Sequence, residues 1–336
     1  MATSGPRNLI TDVPGILVGQ AEDRVAITGT TVVLAEAPAI AAVDVRGGAP
    51  GSRETELLGA ATLVDRVDAI VLSGGSAFGL DAAAGVMDRL AAQGRGFAVG
   101  EARVPIVPGA ILFDLNFPGR RHWTGAPPHR RLGEEAAARA GETFALGNAG
   151  AGLGAKAGRL KGGVGSASLI LGDGAMVGAI VGVNCCGSVV RPDCGRLWAA
   201  ELALAGEIPA QPPIPETPLD PENFSACSPL FAGANTTIAV VATDAPLGKS
   251  ACQRFAMMAQ DGLARAIRPA HTPFDGDTVF ALSTGSGEAA DPTALTRLGA
   301  TAADCLARAV MRAVLAAEPL GGYPSWRQMW GSRHPA

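Results

Sequence analysis

Residues 233–241 read Gly-Ala-Asn-Thr-Thr-Ile-Ala-Val-Val, and this stretch organises the rest of the chain. The β-branched and apolar residues that follow Thr236 predict a buried strand over residues 237–242. If the bond between Asn235 and Thr236 is cut, Thr236 gains a free α-amine beside its own hydroxyl, and the pair can act as base and nucleophile. Asn-Thr-Thr before a strand is also an ordinary turn sequence, so the dipeptide alone leaves both interpretations open.

The composition indicates a globular chain with one large core or two modest domains. The chain has 336 residues, of which 48% are hydrophobic and 17% charged. A formal charge of -4 and a pI of about 5.6 offer no basic surface for nucleic acid. No charged segment precedes an apolar run at the N-terminus, and no apolar run reaches the roughly 18 residues that span a bilayer. We therefore expect a cytoplasmic protein with neither nucleic acid nor membrane as partner.

The cysteines and histidines lack the spacing of a metal site. None of the six cysteines forms a C-x-x-C pair, and two of them are adjacent, which favours reduced, mostly buried thiols over a zinc cage or a disulfide framework. The four histidines are His122, His129, His271 and His334. They show no ligand spacing either, so the sequence predicts no metal and no organic cofactor.

Short apolar runs punctuated by Gly and Pro predict a mixed α and β fold. The predicted strands of the first part are residues 30–34, 40–45, 69–72, 97–99, 111–113, 168–171 and 177–183. Ala-rich or amphipathic patterns predict helices over residues 80–92 and 134–140.

A second part of the chain begins after a Pro-rich stretch. Residues 207–230 contain Pro at a density that prevents both helix propagation and central-strand pairing, which predicts an exposed linker ending just before Asn235. Beyond the strand at 237–242 the pattern predicts a helix over 249–267, a strand over 278–282 and a helix over 292–317.

Two carboxylates stand directly before the strand at 278–282. In the extended sequence Asp275-Gly276-Asp277, residues i and i+2 point the same way, so both side chains can face one site. Two acids in one site can orient an ammonium and share a proton. The sequence is equally that of a polar turn or a cation site, although it lacks the longer acidic series of a calcium loop.

Two Gly-rich segments have functional and structural interpretations. Residues 150–155 match G-x-G-x-x-A, the outline of a dinucleotide-binding turn, but the glycine-laden sequence after them disfavours the helix that would hold a pyrophosphate. Residues 73–80 resemble a nucleophile elbow without its G-x-S-x-G spacing, which favours a tight turn from strand to helix.

Taken together, six motifs make the chain similar to a known family. They lie at residues 45–51, 73–79, 150–152, 161–168, 235–238 and 275–278. The chain resembles, from about Leu9 to Leu315, the self-cleaving N-terminal nucleophile peptidases. This family includes L-aminopeptidase D-amidase/esterase, the β-peptidyl aminopeptidases and the nylon-oligomer (6-aminohexanoate-oligomer) endohydrolase.

The resemblance implies an architecture and a processing event. It implies an α/β fold, specifically the α/β/β/α four-layer sandwich of the L-aminopeptidase D-amidase and ornithine acetyltransferase type. It also implies a cut into an α subunit of residues 1–235 and a β subunit of residues 236–336, which remain one folded domain. Members usually assemble as a homotetramer of such pairs.

The resemblance also assigns roles to matching positions. Thr236 matches the nucleophile, Asn184 the asparagine that stabilises the oxyanion, and Asp275 and Asp277 the pair that orients the new amine. Threonine and the two aspartates match the nylon-oligomer branch, whereas peptidase relatives have serine as nucleophile and Ser and Glu in place of the two aspartates.

Two positions depart from the family pattern. Phe113 stands where characterised members have a tyrosine. The basic residue of the nylon-oligomer branch aligns with Arg159, but Lys161, in the Lys-Gly-Gly motif, is the better candidate for a compact ammonium charge.

These observations predict an autoprocessed threonine hydrolase that cleaves amide bonds of short peptides or peptide-like oligomers through an acyl-enzyme. Two alternatives stay open. One is acyl transfer to an amino acid, as in ornithine acetyltransferase, and the other is an uncleaved nucleotide-binding protein. The sequence does not identify the physiological substrate, endo or exo cleavage, or stereochemical preference.

Overall fold

The computed structural model describes residues 2–227 and 235–331, and these form a mixed α/β fold. The four α-helices are α1 (Ala82–Ala92), α2 (His129–Ala138), α3 (Lys249–Ala266) and α4 (Pro292–Ala316). The strands of the first half are β1 (Thr3–Ser4), β2 (Ile16–Asp23), β3 (Thr28–Val45), β4 (Ser52–Arg53), β5 (Arg66–Ser73), β6 (Phe97–Val99), β7 (Ala102–Val104) and β8 (Gly109–Ile111). The remaining strands are β9 (Lys156–Ala157), β10 (Leu160–Lys161), β11 (Gly163–Ile170), β12 (Met176–Asn184), β13 (Thr236–Thr243) and β14 (Thr278–Ser283).

Strand β3 joins two halves of the main sheet. Its N-terminal part pairs with β2 and β5, and its C-terminal part, residues 40–45, pairs antiparallel with β14. The pairing with β5 is irregular between Leu34 and Ala39, where the strand passes from one half to the other. The order of the sheet is β1-β11-β12-β13-β14-β3-β5-β8-β4, with β2 also paired to β3.

Three of the four apolar cores found in the described residues lie between layers and divide the fold into four layers. One core lies between helices α1 and α2 and the outer faces of β2, β3 and β5. A second lies between the two halves of the sheet, and a third between β11–β14 and helices α3 and α4. Because side chains alternate along a strand, Ile238 and Val240 of β13 enter the middle core while Ala239 and Val241 face α3 and α4. This arrangement confirms the predicted α/β/β/α sandwich.

The C-terminal elements follow their sequence patterns closely. The predicted apolar face of α3, which includes Cys252, Phe255 and Leu263, is fully buried. Helix α4 begins with Asp291 accepting a hydrogen bond from the Ala294 N–H and with Pro292 in its first turn, a favourable N-terminal sequence.

Several predicted bounds of the first half were wrong. Residues 30–34 and 40–45 belong to one strand, β3, and β11 begins at Gly163 instead of residue 168. Helix α2 begins at His129, five residues before the predicted start, and β8 lies at 109–111 instead of 111–113. Strand β2 was not predicted. Glycines at close contacts account for part of this: a Cβ on Gly165 of β11 would lie 1.9 Å from the Ala309 carbonyl of α4.

The two Gly-rich segments have distinct structures. After β5, Gly75 adopts φ 87° and a short 3-10 helix leads into α1, which confirms the turn predicted for residues 73–80. Residues 150–152 form one 3-10 turn followed by the short strands β9 and β10. The next four elements along the chain are strands, so this turn is not followed directly by a helix whose N-terminus could hold a pyrophosphate.

Residues 207–227 contain no helix or strand and are largely exposed, as predicted for a linker, while residues 228–230 lie outside the described part of the chain. All six cysteines are free, and five of them are buried. In the described ranges, no helix is long and apolar enough to cross a bilayer.

Candidate active site

The site lies where β12 ends and β13 begins. These two strands are antiparallel, and Asn184, the last residue of β12, pairs directly with Thr236, the first residue of β13. Both residues are buried, with 0% and 3% of their surfaces exposed. The fold therefore brings together two residues that are 52 positions apart in the sequence.

Hydrogen bonds to two different segments orient the side chain of Asn184. Its Oδ1 accepts from the Lys156 N–H at 2.9 Å, and its Nδ2 donates to the Phe113 carbonyl at 3.1 Å. The position predicted to lack a tyrosine hydroxyl, Phe113, thus contacts the site through its backbone. These bonds fix the amide plane beside the start of β13.

The peptide bond between Asn235 and Thr236 is surrounded by protein. The Thr236 hydroxyl donates to the Asn235 carbonyl, and the Gly276 N–H donates to the same oxygen at 3.1 Å. A donor at a carbonyl oxygen stabilises the negative charge that develops there when the carbon is attacked. The nucleophile candidate and a polarising donor therefore meet at one carbonyl group.

Asp275 holds the segment that follows Asn184. Its Oδ1 accepts from the Cys186 N–H at 3.0 Å, and its Oδ2 accepts from the N–H and hydroxyl of Thr272. Burial raises the pKa of the Asp275 carboxyl, and the nearby charge of Asp277 raises it further. The predicted proximity of these two carboxylates is thus present in the fold.

Asp277 holds the residue that follows Thr236. Its Oδ1 accepts from the Thr237 N–H at 2.8 Å, while its Oδ2 accepts from the backbone N–H of His271 at 3.0 Å and from its Nδ1 at 2.9 Å. Within the described residues, neither aspartate hydrogen-bonds Thr236 itself in the intact chain. The two carboxylates instead fix the backbone on either side of the Asn184–Thr236 pair.

The glycine-rich motif at residues 45–51 supports this acidic loop. The N–H groups of Arg46 and Gly47 donate to the Asp277 carbonyl, and Ala49 donates to the Asp275 carbonyl. A Cβ on Gly47 would lie 2.2 Å from the Asp277 nitrogen. This motif therefore requires glycine for close backbone contact with the loop that carries both aspartates.

Lys161 does not join this group, although it was a candidate site residue. Its Nζ donates to the carbonyls of Gly152 and Gly162, both at 2.8 Å, and the side chain is completely buried. Burial lowers the pKa of this ammonium to about 7, while Asp114 raises it. Arg159, the alternative, is exposed. Among the described residues, no hydrogen bond joins either side chain to Thr236.

A buried polar cluster beside Lys161 was not identified from the sequence. Asp114 accepts from the Gly75 N–H at 2.8 Å, and burial raises the pKa of its carboxyl to about 6. His129 contacts the Thr28 hydroxyl at 3.2 Å, and burial lowers the pKa of its imidazole to about 4. Asp114 follows Phe113, so the cluster is joined through the backbone to Asn184.

Sequence reasoning also missed Gly276, His271 and Cys186 as site residues. Gly276 carried a signal, because it separates the two predicted carboxylates, but its contact with the Asn235 carbonyl depends on the path of residues 275–277. His271 gave no spacing signal, since it acts within a loop and not along a helix or strand. In residues 2–227 and 235–331, no group of three or more His, Cys, Asp or Glu side chains could hold a metal ion.

Comparisons with known proteins identify relatives that cover nearly the whole chain. The sequence model of peptidase family S58 matches residues 8–326. An uncharacterised aminopeptidase of Mycobacterium tuberculosis is 49% identical, with 96% of this chain and 98% of that protein covered. The 6-aminohexanoate-oligomer endohydrolase of Paenarthrobacter ureafaciens is 33% identical, with 93% of this chain and 87% of the relative covered.

Solved structures show the same fold. The L-aminopeptidase D-Ala-esterase/amidase from Ochrobactrum anthropi, described as a variant of the Ntn hydrolase fold, has a TM-score of 0.70 at 22% identity over 96% of this chain and 90% of its own. A Burkholderia β-aminopeptidase has a TM-score of 0.70 at 23% identity, with 97% of this chain and 92% of its own covered. The chain is therefore a hydrolase, and it belongs to peptidase family S58.

Proposed function

We propose that this protein is a threonine hydrolase that activates itself by cutting its chain between Asn235 and Thr236. The products would be an α subunit of residues 1–235 and a β subunit of residues 236–336. The mature enzyme would then cleave amide bonds of short peptides or peptide-like oligomers. We further expect a cytoplasmic homotetramer of αβ pairs that needs no cofactor.

One observation carries this proposal: Thr236, which pairs with Asn184 across the two strands, donates its hydroxyl to the Asn235 carbonyl, and the Gly276 N–H donates to the same oxygen. In the first step, Thr236 Oγ1 would attack the Asn235 carbonyl carbon, and the peptide C–N bond would break as the C–O bond forms. The hydroxyl proton would end on the released α-amine. Water would then hydrolyse the ester, releasing the Asn235 carboxylate and the free hydroxyl of Thr236.

The same groups would serve the mature enzyme. The Thr236 α-amine would take the hydroxyl proton as Oγ1 attacks a substrate amide, and would return it to the leaving amine. The side-chain amide of Asn184 would stabilise the oxyanion, a contribution worth about 100- to 1,000-fold in rate for one such donor. Asp275 and Asp277 would hold the backbone around the new amine, as they do in the intact chain.

Two relatives support amide substrates of this kind. The 6-aminohexanoate-oligomer endohydrolase is named for a peptide-like oligomer, and the mycobacterial relative is named as an aminopeptidase. Thr236 and the Asp275–Asp277 pair match the oligomer hydrolase branch of the sequence resemblance. We therefore place short peptides and linear amide oligomers first among the substrates to be tested.

The test is intact-mass analysis of purified wild type and two variants. We expect wild type and Thr236→Ser to separate into two fragments under denaturing conditions, because both retain a hydroxyl at the cut. Thr236→Ala has no nucleophile and should remain one inactive polypeptide. Two fragments from Thr236→Ala, or an active wild type with an unbroken chain, would refute the mechanism.

Acyl transfer to an amino acid is separated from hydrolysis by an acceptor experiment. An acyl donor is incubated with wild type in the presence and absence of glutamate, and free acid and acylated amino acid are quantified. A hydrolase releases the same amount of free acid in both cases. Conversion of the donor into acylglutamate would favour the transferase instead.

A further inference from the structure

We propose that His271 is a positioning residue that holds Asp277 and, through it, the backbone beside the nucleophile. This inference rests on the proposed function, because it assigns His271 to the site built around Thr236. Its basis is a chain of hydrogen bonds from His271 to Asp277 and from Asp277 to Thr237.

One residue supplies both donors to a single carboxylate oxygen. The backbone N–H and the Nδ1 of His271 lie 3.0 and 2.9 Å from Asp277 Oδ2. A carboxylate oxygen accepts, so the proton of the second bond belongs to Nδ1. The other oxygen, Oδ1, is left to accept from the Thr237 N–H at 2.8 Å. The two hydrogen bonds from His271 thus fix the rotation of the Asp277 carboxyl group and direct its Oδ1 towards β13.

The backbone of His271 is held in an uncommon conformation. Its φ is 56°, in the left-handed region that residues other than glycine seldom adopt, although asparagine, aspartate and histidine do so more often than the rest. Strain of this kind persists only where surrounding contacts maintain it, and it is concentrated at functional sites. Here the left-handed turn is what brings the N–H and the imidazole of one residue to the same oxygen.

The imidazole has no second hydrogen bond in the described structure. Its Nε2 is buried without a partner, and the side chain is only 20% exposed. A histidine that served mainly to join parts of the fold would be expected to use both nitrogens. The bond from Nδ1 to Asp277 is therefore the polar role of this ring that the geometry supports.

The position of His271 predicts which kinetic constant responds. In the described part of the chain no hydrogen bond joins His271 to Thr236, but Asp277 holds the N–H of the residue next to the nucleophile. Loosening that residue misplaces Oγ1 and the new amine without removing a substrate contact. We therefore expect kcat to fall and KM to change little.

Two variants of similar polarity separate the proximal donor from the rest of the ring. The Nδ2 of asparagine can occupy the place of Nδ1, and asparagine tolerates a left-handed φ. In glutamine the amide nitrogen lies nearer the position of Nε2, so His271→Gln loses the bond to Asp277. We expect His271→Asn to retain kcat within about threefold, and His271→Gln to lose about 10- to 100-fold, the usual effect of removing a hydrogen bond to a charged group.

A third variant tests whether misfolding, and not the lost hydrogen bond, causes the fall in kcat. His271→Gly relieves the left-handed strain and keeps the backbone N–H, so it should fold. Its kcat should fall like that of His271→Gln and recover when free imidazole is added. A cavity of about 310 Å³, lined by Trp198, Arg268 and His271, borders the space that the ring would vacate.

The measurements are self-cleavage by intact mass, kcat and KM on aminoacyl p-nitroanilides and 6-aminohexanoate oligomers, and Tm. Equal kcat for His271→Asn and His271→Gln at matched Tm, or no recovery of His271→Gly with imidazole, would overturn the inference while wild type stayed cleaved and active. An uncleaved or inactive wild type would instead overturn the proposed function.

Discussion

Gly276 packs closely against the nucleophile candidate. A Cβ at this position would lie 2.9 Å from Thr236 Oγ1 and 2.8 Å from the Ala49 carbonyl. Both neighbours belong to segments held by backbone hydrogen bonds. The clash could therefore be relieved only by moving the Thr236 hydroxyl or the loop of residues 275–277. Glycine is therefore the residue type that fits at position 276, beside the bond between Asn235 and Thr236.

We predict that Gly276→Ala slows self-cleavage about tenfold or more, because it crowds Oγ1 and shifts the N–H that contacts the Asn235 carbonyl. The measurement is the fraction of cut chain against time after refolding. Gly172→Ala is the matched control, since Gly172 is exposed and a Cβ there meets nothing within 4 Å. Equal cleavage rates for the two variants would contradict this role for Gly276.

Asp114 gives a prediction about stability and pH. Its pKa is about 6 in the folded chain and 3.8 in the reference state, so the folded protein binds the proton more readily. Its contribution to stability is greatest below pH 3.8 and is lost as pH rises through 6. Asp114→Asn removes this dependence while keeping an acceptor for the Gly75 N–H.

We therefore expect Asp114→Asn to be more stable than wild type at pH 8 by about 3 kcal/mol, with the advantage disappearing near pH 4. Urea unfolding across this range measures it. His129→Gln should show the opposite trend, because His129 has a lowered pKa of about 4 and wild type loses its contribution as pH falls from 6.5. A pH-independent difference between Asp114→Asn and wild type would contradict the buried carboxyl's titration.

The site residues differ in how far sequence could predict them. Asn235, Thr236 and the Asp275–Asp277 pair carry local signals, because adjacency and alternate spacing determine what they can do together. Asn184 came only from the family resemblance, since its meeting with Thr236 depends on the register of two strands. The position of a lysine side chain also depends on tertiary packing. In the structure, the Nζ of Lys161 donates to the carbonyls of Gly152 and Gly162.

At the level of elements, the C-terminal part was predictable because its helices and strands follow simple periodicities. Helices α3 and α4 and strands β13 and β14 lie within two residues of their predicted bounds. Helix α3 buries one face, helix α4 is buried on nearly all sides over residues 302–315, and both strands are short apolar runs with both faces buried. Local pattern and tertiary environment therefore agree.

The first half was less predictable because its strands follow tertiary contacts. Strand β3 contains Glu36 and Pro38, which suggest a break, yet it continues through them to join both halves of the sheet. Strand β11 opens with Gly163 and Gly165, which have low strand propensity; Gly165 allows α4 to approach closely, and Gly163 allows close contact with the backbone of Gly147. Neither the continuation of β3 nor the close packing at the glycines of β11 can be recognised from a short segment of sequence.

For the whole molecule, the proposed cut falls before a central strand. Strand β13 lies between β12 and β14, and residues after 235 also supply α3 and α4, which cover one face of the sheet. Breaking the peptide bond before the first residue of β13 leaves the hydrogen bonds of β13 to its neighbouring strands intact, and both of its apolar faces stay buried. The two subunits should therefore remain associated without a covalent link.

We predict that the cut protein elutes as a single species in native size-exclusion chromatography and yields two bands only after denaturation in SDS. Burial of strands from both subunits in shared cores is the physical reason. Uncut Thr236→Ala is the reference for elution volume. Release of the smaller fragment in native buffer would contradict the shared cores.

Asn235 lies beside Asp275, and its buried side-chain amide has no hydrogen-bond partner among the residues that the structure describes. Cleavage would give Asn235 a negatively charged terminal carboxylate beside Asp275 and Asp277. If Asn235 stayed in place, the negative charges would repel each other and its buried side-chain amide would still lack a hydrogen bond, so this position would be unfavourable. Expulsion of this tail would make self-cleavage effectively irreversible. The space vacated on the acyl side of Thr236 would become the first site for an incoming substrate.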